Sequence, residues 1–549
     1  MRLPLSAVLA LAIGIAAQPS PPRDLPAQAA GRAVVRGRVT AVATGQPLHR
    51  VRVTLNTSNP SPPTTVSDTR GMFELTNVPP GKYSLTATRA GYLTMQYGQR
   101  RPREAGRTFD LKDGDILEGL DMTLYRGGVL SGRIADETGD ASPGVRVEAI
   151  ELQYMRGRRV PVAARITTTN DVGEYRLSGL EPGAYQLRAS TTDVWDSDDG
   201  KSTHVYAVTY FPGGRRGDKP EHITLTPGQE VAGLDMRLVA GAAARVAGVL
   251  IDANGEPMAG QVVNMDRITR TVGGALMSAG FVGSTTTDAR GAFEFAKLAA
   301  GEYNVYAGGQ SDRVSAPVTL NDGEVRQVSL TPRRPTIVSG AIVTDDGKGP
   351  SFSAARLAID AIDADPEVVL APWGAPRAQS PKGDWTFGLA NLDGPYLFRV
   401  TGLPEDWMLK AVTLGDRDLT DTPLTIVRGA PEVQGLQVVI SSKGAKVSGE
   451  VVDAQGRPAP DATVIVFAED RARWTLSSRF IKAARPDNAG WFSTGGLPPG
   501  TYRAIAREAV VAGQWEDAEF LAGLVKDAVR LELAEGASET VKLLTGPPR

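Results

Sequence analysis

The chain has 549 residues, of which 41% are hydrophobic, so it is long enough to form several buried cores. Its 60 basic and 62 acidic residues nearly cancel, which argues against a nucleic-acid partner. The chain contains no cysteine, which excludes disulfides, thiolate metal sites, cysteine nucleophiles and a lipid attached to cysteine.

The first residues have the pattern of an export signal. Two residues, Met1 and Arg2, precede an apolar run that ends at Ala17, and this predicts a signal peptide over residues 1–17. A membrane anchor is the alternative, but about fifteen apolar residues are short for a span of about twenty. The proline-rich residues 18–32 predict a disordered linker. We therefore expect an exported protein, periplasmic or extracellular, with no transmembrane segment in the mature chain.

One sixteen-residue pattern, first seen at Asp68–Tyr83, occurs five times. Each copy has a turn glycine, preceded three residues earlier by a turn-forming side chain and followed two residues later by an aromatic residue in an inward slot, which is Trp385 in the fourth copy and should there be a core residue. The glycines are Gly71, Gly173, Gly291, Gly383 and Gly490. A later turn is followed by Tyr83, Tyr185, Tyr303 or Tyr502, a placement typical of the tyrosine corner of β-sandwiches. Tyr396 is one residue late in the fourth copy.

A strand with a glycine at its centre opens every repeat. The glycines are Gly37, Gly132, Gly248, Gly340 and Gly449. Glycine inside a strand indicates a bulge or a close approach of another backbone segment. Counting strands between these openings predicts five all-β, immunoglobulin-like sandwiches of two sheets in a rod. Their predicted bounds are 33–127, 128–243, 244–335, 336–445 and 446–549, the fourth being a degenerate repeat.

The last repeat contains a helical pattern. Trp515, Ala518, Ala522, Val525 and Val529 recur at helical spacing. Acidic residues lie near the start of this segment and basic residues near its end, as the helix dipole favours. The sequence therefore predicts one short helix near 514–531 that packs on the sandwich.

The repeated pattern resembles the carboxypeptidase regulatory-like domain. The resemblance rests on the glycine-containing opening strand, the Asp-x-x-Gly-x-Phe-x-Leu strand and the Leu-x-Pro-Gly-x-Tyr turn. It implies a transthyretin-like, carbohydrate-binding-like β-sandwich, a module that accompanies peptidases, receptors and glycan-handling proteins. The peptidase domain that gives the family its name has no counterpart in this sequence.

No pattern of catalytic residues is present in the sequence. The three histidines, His49, His204 and His222, lack the spacing of a zinc peptidase, and a serine nucleophile elbow and a P-loop are absent. We expect a protein that is not an enzyme and has no cofactor.

An acidic loop offers a weak candidate for a metal site. Asp196, Asp198 and Asp199 lie close together, and carboxylates are the ligands that calcium prefers. Their spacing differs from that of the helix-loop-helix calcium site, so a solvated polar loop is the favoured interpretation.

Aromatic residues give the main candidates for ligand binding. Trp491 lies one position off the inward slot of its strand and should face outward, and Trp474 and Trp515 are in the same repeat. Flat aromatic faces stack on sugar rings, so these residues could bind glycan. The alternative is that the tryptophans pack beneath the 514–531 helix. Tyr210 and Phe211 form a second candidate aromatic edge.

These observations predict an exported, non-catalytic binding or spacer protein, which we expect to be a monomer. The first hypothesis for its partner is a polysaccharide bound at the last repeat. The alternative is a protein–protein scaffold whose exposed strand edges bind partners.

Overall fold

The computed structural model describes residues 33–56, 62–155, 157–214, 221–270, 276–308, 314–332, 336–347, 349–350, 352–354, 357–364, 383–427 and 429–546. The predicted signal peptide 1–17 and linker 18–32 lie outside this part of the chain. The described residues form an all-β protein with one short α-helix, as predicted. None of the described helices is long and apolar enough to cross a membrane.

We call the five segments with the predicted bounds units one to five. Unit one contains β1 (Ala33–Ala41), β2 (Arg52–Asn56), β3 (Thr64–Val66), β4 (Met72–Val78), β5 (Gly81–Thr88), β6 (Met95–Gln96), β7 (Thr108–Leu111), β8 (Ile116–Leu117) and β9 (Met122–Leu124). Unit two contains β10 (Gly128–Ala135), β11 (Arg146–Met155), β12 (Arg158–Thr168), β13 (Glu174–Leu180), β14 (Gly183–Ser190), β15 (Val194–Asp196), β16 (Thr203–Ala207), β17 (Thr209–Tyr210), β18 (Ile223–Leu225), β19 (Glu230–Val231), β20 (Met236–Arg237) and β21 (Val239–Ala242).

The other three units follow in the same way. Unit three contains β22 (Ala244–Leu250), β23 (Val262–Arg270), β24 (Leu276–Thr286), β25 (Ala292–Leu298), β26 (Gly301–Ala307), β27 (Val314–Leu320) and β28 (Val325–Leu330). Unit four contains β29 (Thr336–Thr344), β30 (Ala358–Asp363), β31 (Thr386–Leu392), β32 (Gly394–Thr401), β33 (Met408–Leu414), β34 (Arg417–Asp418), β35 (Leu424–Ile426) and β36 (Val433–Ser441). Unit five contains β37 (Ala445–Val452), β38 (Thr463–Ala468), β39 (Ile481–Ala484), β40 (Trp491–Leu497), β41 (Gly500–Arg507), α1 (Ala518–Leu524), β42 (Val529–Leu533) and β43 (Ser538–Gly546).

Two sheets form unit one. One sheet has the order β4-β1-β8 with β9 also paired to β1, and the other has the order β3-β2-β5-β6 with β7 paired to β5. Unit three also has two sheets, β25-β22-β28 and β24-β23-β26-β27; unit two adds a third sheet, β15-β16-β21, and in unit four β33 and β34 extend the sheet of the opening strand. In unit five, β43 pairs in parallel with both β37 and β41 and so connects the two sheets. Each unit has a hydrophobic core cluster made of residues from that unit alone.

The glycine of each opening strand lies against the backbone of a later strand of the same unit. A Cβ built on Gly37 would overlap the carbonyl of Leu120, and one on Gly248 would overlap that of Val328. Close backbone approach is therefore the reason for glycine at this position, as the sequence predicts.

The predicted tyrosine corner is present in four units. The hydroxyl groups donate to the carbonyl oxygen four residues earlier, at 2.9 Å for Tyr83, 2.7 Å for Tyr185, 2.6 Å for Tyr303 and 2.7 Å for Tyr502. In unit four the bond of Tyr396 to Asp393 is longer, at 3.4 Å, and spans three residues. The corner joins the strand before the turn to the buried strand after it, so it fixes the angle between them.

Unit four departs from the sequence alignment by two residues. The sequence places Trp385 in the inward aromatic slot, but Phe387 pairs with Gly340 there, as Phe73 pairs with Gly37 in unit one. Trp385 instead takes the place of the turn glycine, with a φ of 65°. Its ring is half-buried and packs edge-on against Phe352. The prediction that Trp385 is an inward core residue is wrong because its backbone is at the turn.

The predicted helix is shorter than its periodic pattern. The α-helix covers Ala518–Leu524 and is flanked by single 3-10 turns at Gln514–Glu516 and Val525–Asp527. Asp517 caps it by accepting the N–H groups of Glu519 and Phe520. Val529 lies in β42, where it pairs with Ala504 of β41. The helical pattern therefore included the first part of a strand.

Unit five makes contacts that a strictly extended rod would not contain. Glu104 of unit one and Val511 of unit five form an antiparallel bridge, and the Ala512 N–H donates to the Arg103 carbonyl at 2.9 Å. On the neighbouring side, Arg479 of unit five pairs with Asp421 of unit four at 3.0 Å. The last unit thus contacts the first. A rod in which only consecutive units touch, as short linkers would predict, lacks this contact.

Candidate functional site

Trp474, the first of the predicted site tryptophans, is a core residue. It is 8% exposed and packs edge-on against Phe467, with ring centroids 5.6 Å apart. Its indole N–H donates to the Ala468 carbonyl at 2.7 Å, which satisfies the one polar group of the ring. Leu521 and Leu524 of α1 belong to the same apolar cluster. The packing alternative therefore describes Trp474, whose ring is not available as a surface platform.

Trp491 faces outward, as the strand alternation predicts. It is the first residue of β40 and is 48% exposed. The turn before it is fixed by Asp487, whose carboxylate accepts the Trp491 N–H at 2.8 Å and the Ala489 N–H at 2.9 Å. The backbone is thus held while the indole remains accessible.

A cleft of about 440 Å³ lies beside Trp491, at the junction of units one and five. Its lining includes Trp491, Trp515, Arg107, Arg485 and Asp487. Trp515 is half-buried and packs on the cluster that contains Trp474. The structure therefore brings two of the three predicted tryptophans to one cleft and leaves the third beneath it.

Polar contacts between units one and five lie next to the cleft. Arg107 donates to Asn488 Oδ1 at 2.8 Å and to the Pro460 carbonyl. Arg100 pairs with Asp461 at 2.5 Å. The Arg107 side chain is only 10% exposed, whereas the Arg100 side chain is 72% exposed. No local pattern in the sequence identifies Arg100 and Arg107 as partners of Asp461 in a distant unit.

Arg485 also lines this cleft, and its guanidinium has unused hydrogen-bond donors. Its Nη2 donates to the Gly98 carbonyl at 2.9 Å, whereas Nε and Nη1 are buried and lack a hydrogen-bond partner among the described residues. Burial lowers the pKa of its guanidinium, and the nearby Glu104 carboxylate acts in the opposite direction. Arg485 remains charged at neutral pH, since the ordinary pKa of arginine lies far above 7.

Comparison with known proteins bears on the first two units. The sequence profile of the carboxypeptidase regulatory-like domain matches residues 34–124 and 129–239. Units one and two are carboxypeptidase regulatory-like domains. Units three and five share their glycine-containing opening strand and their tyrosine corner. No curated protein matches the chain.

Several solved structures resemble parts of the chain. The TIE protein of Bacillus anthracis is 12% identical, with a TM-score of 0.15, over 76% of this chain and 74% of that one. A streptococcal ancillary pilin is 14% identical, with a TM-score of 0.19, over 55% of this chain and 99% of the pilin. The major pilin subunit BcpA of Bacillus cereus is 11% identical, with a TM-score of 0.15 and the same coverage of the two chains. We draw no functional conclusion from TM-scores of this size.

The second candidate aromatic edge belongs to the second regulatory-like domain and does not line the cleft. Tyr210 ends β17, where it pairs with Arg188 of β14. Phe211 is half-buried and packs against the core of this domain. The two residues therefore lie apart from Trp491 and Trp515 as a separate, partly buried pair.

The acidic loop of the same domain forms the turn of the β15–β16 hairpin. Asp196 accepts the Thr203 hydroxyl at 2.7 Å and Asp199 accepts the Ser197 hydroxyl at 2.6 Å. The Ser197 bond is the main reason why the pKa of Asp199 is lowered. Asp198 is exposed. Across the described residues, no three histidine or carboxylate groups are placed to hold a metal ion.

Proposed function

We propose that the protein is an exported, non-catalytic scaffold that binds protein partners along the free edges of its β-sandwich units. The observation that carries this proposal is strand β24 of unit three. It lies at the edge of the sheet β24-β23-β26-β27, and Phe281 and Val282 on it are 65% and 38% exposed. An edge strand offers unpaired backbone groups to an incoming strand, and exposed apolar side chains add affinity.

A second edge strand with the same properties lies in unit two. Strand β12 ends the sheet β12-β11-β14-β17, and its Ile166 is 47% exposed. Leu152 on the adjacent strand β11 is 41% exposed. Exposed apolar residues thus lie on long hairpins of two consecutive units. They favour a role in binding extended segments of a partner over the role of a passive spacer.

The two histidines of unit two make local contacts. Among the described histidines, the His204 ring contacts Ser202 and stacks on Trp195, and His222 contacts Gln186. These are local structural contacts of unit two. Export rests on the apolar segment before Ala17 and is part of the proposal.

Two variants at exposed positions test the scaffold role. Phe281→Lys places a charge on the β24 edge, and Val172→Lys places one in a turn of unit two, where Val172 is 49% exposed. Chemical crosslinking of the full chain in the exported fraction should give a discrete partner that is lost in Phe281→Lys and retained in Val172→Lys. Loss in both variants, or a partner that Phe281→Lys does not affect, would contradict the edge as the binding surface.

Carbohydrate binding at unit five is the second candidate function. The observation that favours it is the exposed indole of Trp491 at the cleft with Trp515. A half-exposed tryptophan in a concave polar site is suited to stack on a sugar ring.

A further inference from the structure

We propose that the cleft between units one and five binds a saccharide residue that carries a carboxylate, such as a uronic acid. This deepens the second candidate function, carbohydrate binding, and is independent of the scaffold role. The cleft volume of about 440 Å³ lies in the ordinary range of small-ligand sites, roughly 300–1,000 Å³. It therefore accommodates one or two sugar rings of a longer chain.

The indole of Trp491 supplies the stacking surface. Its backbone is fixed by the Asp487 turn, while 48% of the residue remains exposed. A rigid aromatic face loses little conformational entropy when a ligand covers it, so the preformed position favours binding. Ser493 and Thr108 also line the cleft and offer hydroxyl groups at the edge of a stacked ring.

The guanidinium of Arg485 is the reason for specifying an acidic sugar. Two of its nitrogens are buried without a hydrogen-bond partner among the described residues, an arrangement that costs free energy in the unliganded protein. A carboxylate accepts a charge-assisted N–H bond from a guanidinium, which is stronger than the bond that a neutral hydroxyl accepts. Because these nitrogens are covered in the unliganded cleft, the side chain must turn toward the ligand to bind it.

The nearby protein carboxylates already have other partners. Glu104 accepts the backbone N–H groups of Arg100 and Arg101, at 3.0 and 3.1 Å. Asp461 pairs with Arg100 and with Arg107. Asp487 lines the cleft, but one of its carboxylate oxygens accepts two backbone N–H groups of its own turn. Of the two arginines in the lining, Arg107 already pairs with Asp461, whereas Arg485 has no ion pair among the described residues.

Calorimetric titration of the full chain tests this proposal. The ligands are a galacturonate trisaccharide and the matched neutral galactose trisaccharide. We expect the acidic ligand to bind at least about tenfold more tightly, because only this ligand forms a charge-assisted bond with Arg485. Trp491→Ala should weaken both ligands, whereas Arg485→Gln should remove the preference and Arg485→Lys should restore only part of it.

The control variant is Val172→Ala, an exposed residue in a turn of unit two outside the cleft, which should leave both affinities unchanged. Equal affinity for the two ligands, no binding of either, or binding that survives Trp491→Ala in a folded variant would overturn the proposal.

Since Arg485 also bonds to Gly98 of unit one, the melting temperature of each variant is compared with wild type. Trp491 makes no such bond across the junction in the described residues, so its variant keeps the test valid if Arg485→Gln unfolds. Crosslinking dependent on Phe281 reports the scaffold role separately.

Discussion

At the scale of single residues, the buried tyrosine of the corner shows how a hydroxyl group stabilises a unit. Tyr502 has no exposed surface, and its hydroxyl donates to the Pro498 carbonyl. Tyr502→Phe should lower the free energy of unfolding of unit five by about 1 kcal/mol, whereas Tyr502→Ala should lower it by about 3–5 kcal/mol. Hydrogen exchange of β41 peptides in increasing denaturant measures both values. Equal losses in the two variants would mean that ring packing contributes nothing.

A turn glycine tests the backbone argument. Gly71 has a φ of 76°, and a Cβ there would lie 2.5 Å from the Val39 carbonyl oxygen. Gly71→Ala should destabilise unit one by roughly 1–3 kcal/mol through strain. The matched control is Gly114→Ala, since Gly114 has a similar φ of 83° but open space around its Cβ position. Hydrogen exchange in unit one should therefore show the larger loss for Gly71→Ala, and the reverse order would refute the contact argument.

The Asp68 turn predicts a pH dependence. The pKa of Asp68 is lowered from 3.8, chiefly because its carboxylate accepts the Met72 N–H. A carboxyl group whose folded pKa is lowered stabilises the fold above its unfolded pKa, and this stabilisation is lost as pH falls through the folded value. Scanning calorimetry between about pH 6 and pH 3 should show a smaller acid-induced loss of stability for Asp68→Asn than for wild type. An identical pH dependence in the two proteins would contradict this account.

The sequence predicted residue roles well where they depend on local geometry. The corner tyrosines, the strand glycines and the outward Trp491 follow from spacing and alternation. Trp385 was misplaced because a bulky residue adopts the positive φ that glycine adopts in the other units. No local signal identifies Arg485 as a group with unused donors, because its surroundings come from a unit almost 400 positions away.

At the scale of secondary-structure elements, the helix α1 depends on its cap. Asp517 accepts N–H groups at 2.9 and 3.0 Å at the start of a seven-residue helix. Asp517→Ala should cost about 0.5–2 kcal/mol and increase hydrogen exchange in α1, whereas Asp517→Asn should cost less. Exchange in α1 that is unchanged by Asp517→Ala would show that packing of Leu521 and Leu524 alone holds the helix.

Periodicity located this element but not its end. Over a few positions, apolar residues of the strand β42 also fit the spacing of the helix α1. The sequence alone therefore extends the helix into the strand. Strand pairing with β41 decides the boundary, and that pairing is tertiary information.

At the scale of the whole molecule, the contact between units one and five makes the candidate cleft. Arg107→Ala removes the bonds to Asn488 and Pro460 and should increase hydrogen exchange of the Ala512 N–H, which donates to unit one. Arg36→Ala is the control, because the partners of Arg36 lie within unit one. Exchange at Ala512 that does not respond to Arg107→Ala, or that responds equally to the control, would indicate that Arg107 does not hold the junction.

The repeat pattern predicted the all-β fold and proposed five units, whose exact bounds stay a prediction. Linker length alone did not predict that unit five contacts unit one. The side-chain contacts of that junction are made by a few arginines with carbonyl and carboxylate partners that are distant in the sequence. Such pairs leave no periodic signal in a sequence.

Site-directed photo-crosslinking tests the scaffold claim most directly. Benzoylphenylalanine replaces Phe281 on the β24 edge in one protein and Val172 in the turn of unit two in the other. Irradiation in the exported fraction should give a discrete crosslinked partner from position 281 and none from position 172. The same products from both positions, or no discrete product from position 281, would contradict the claim that this edge binds a protein partner.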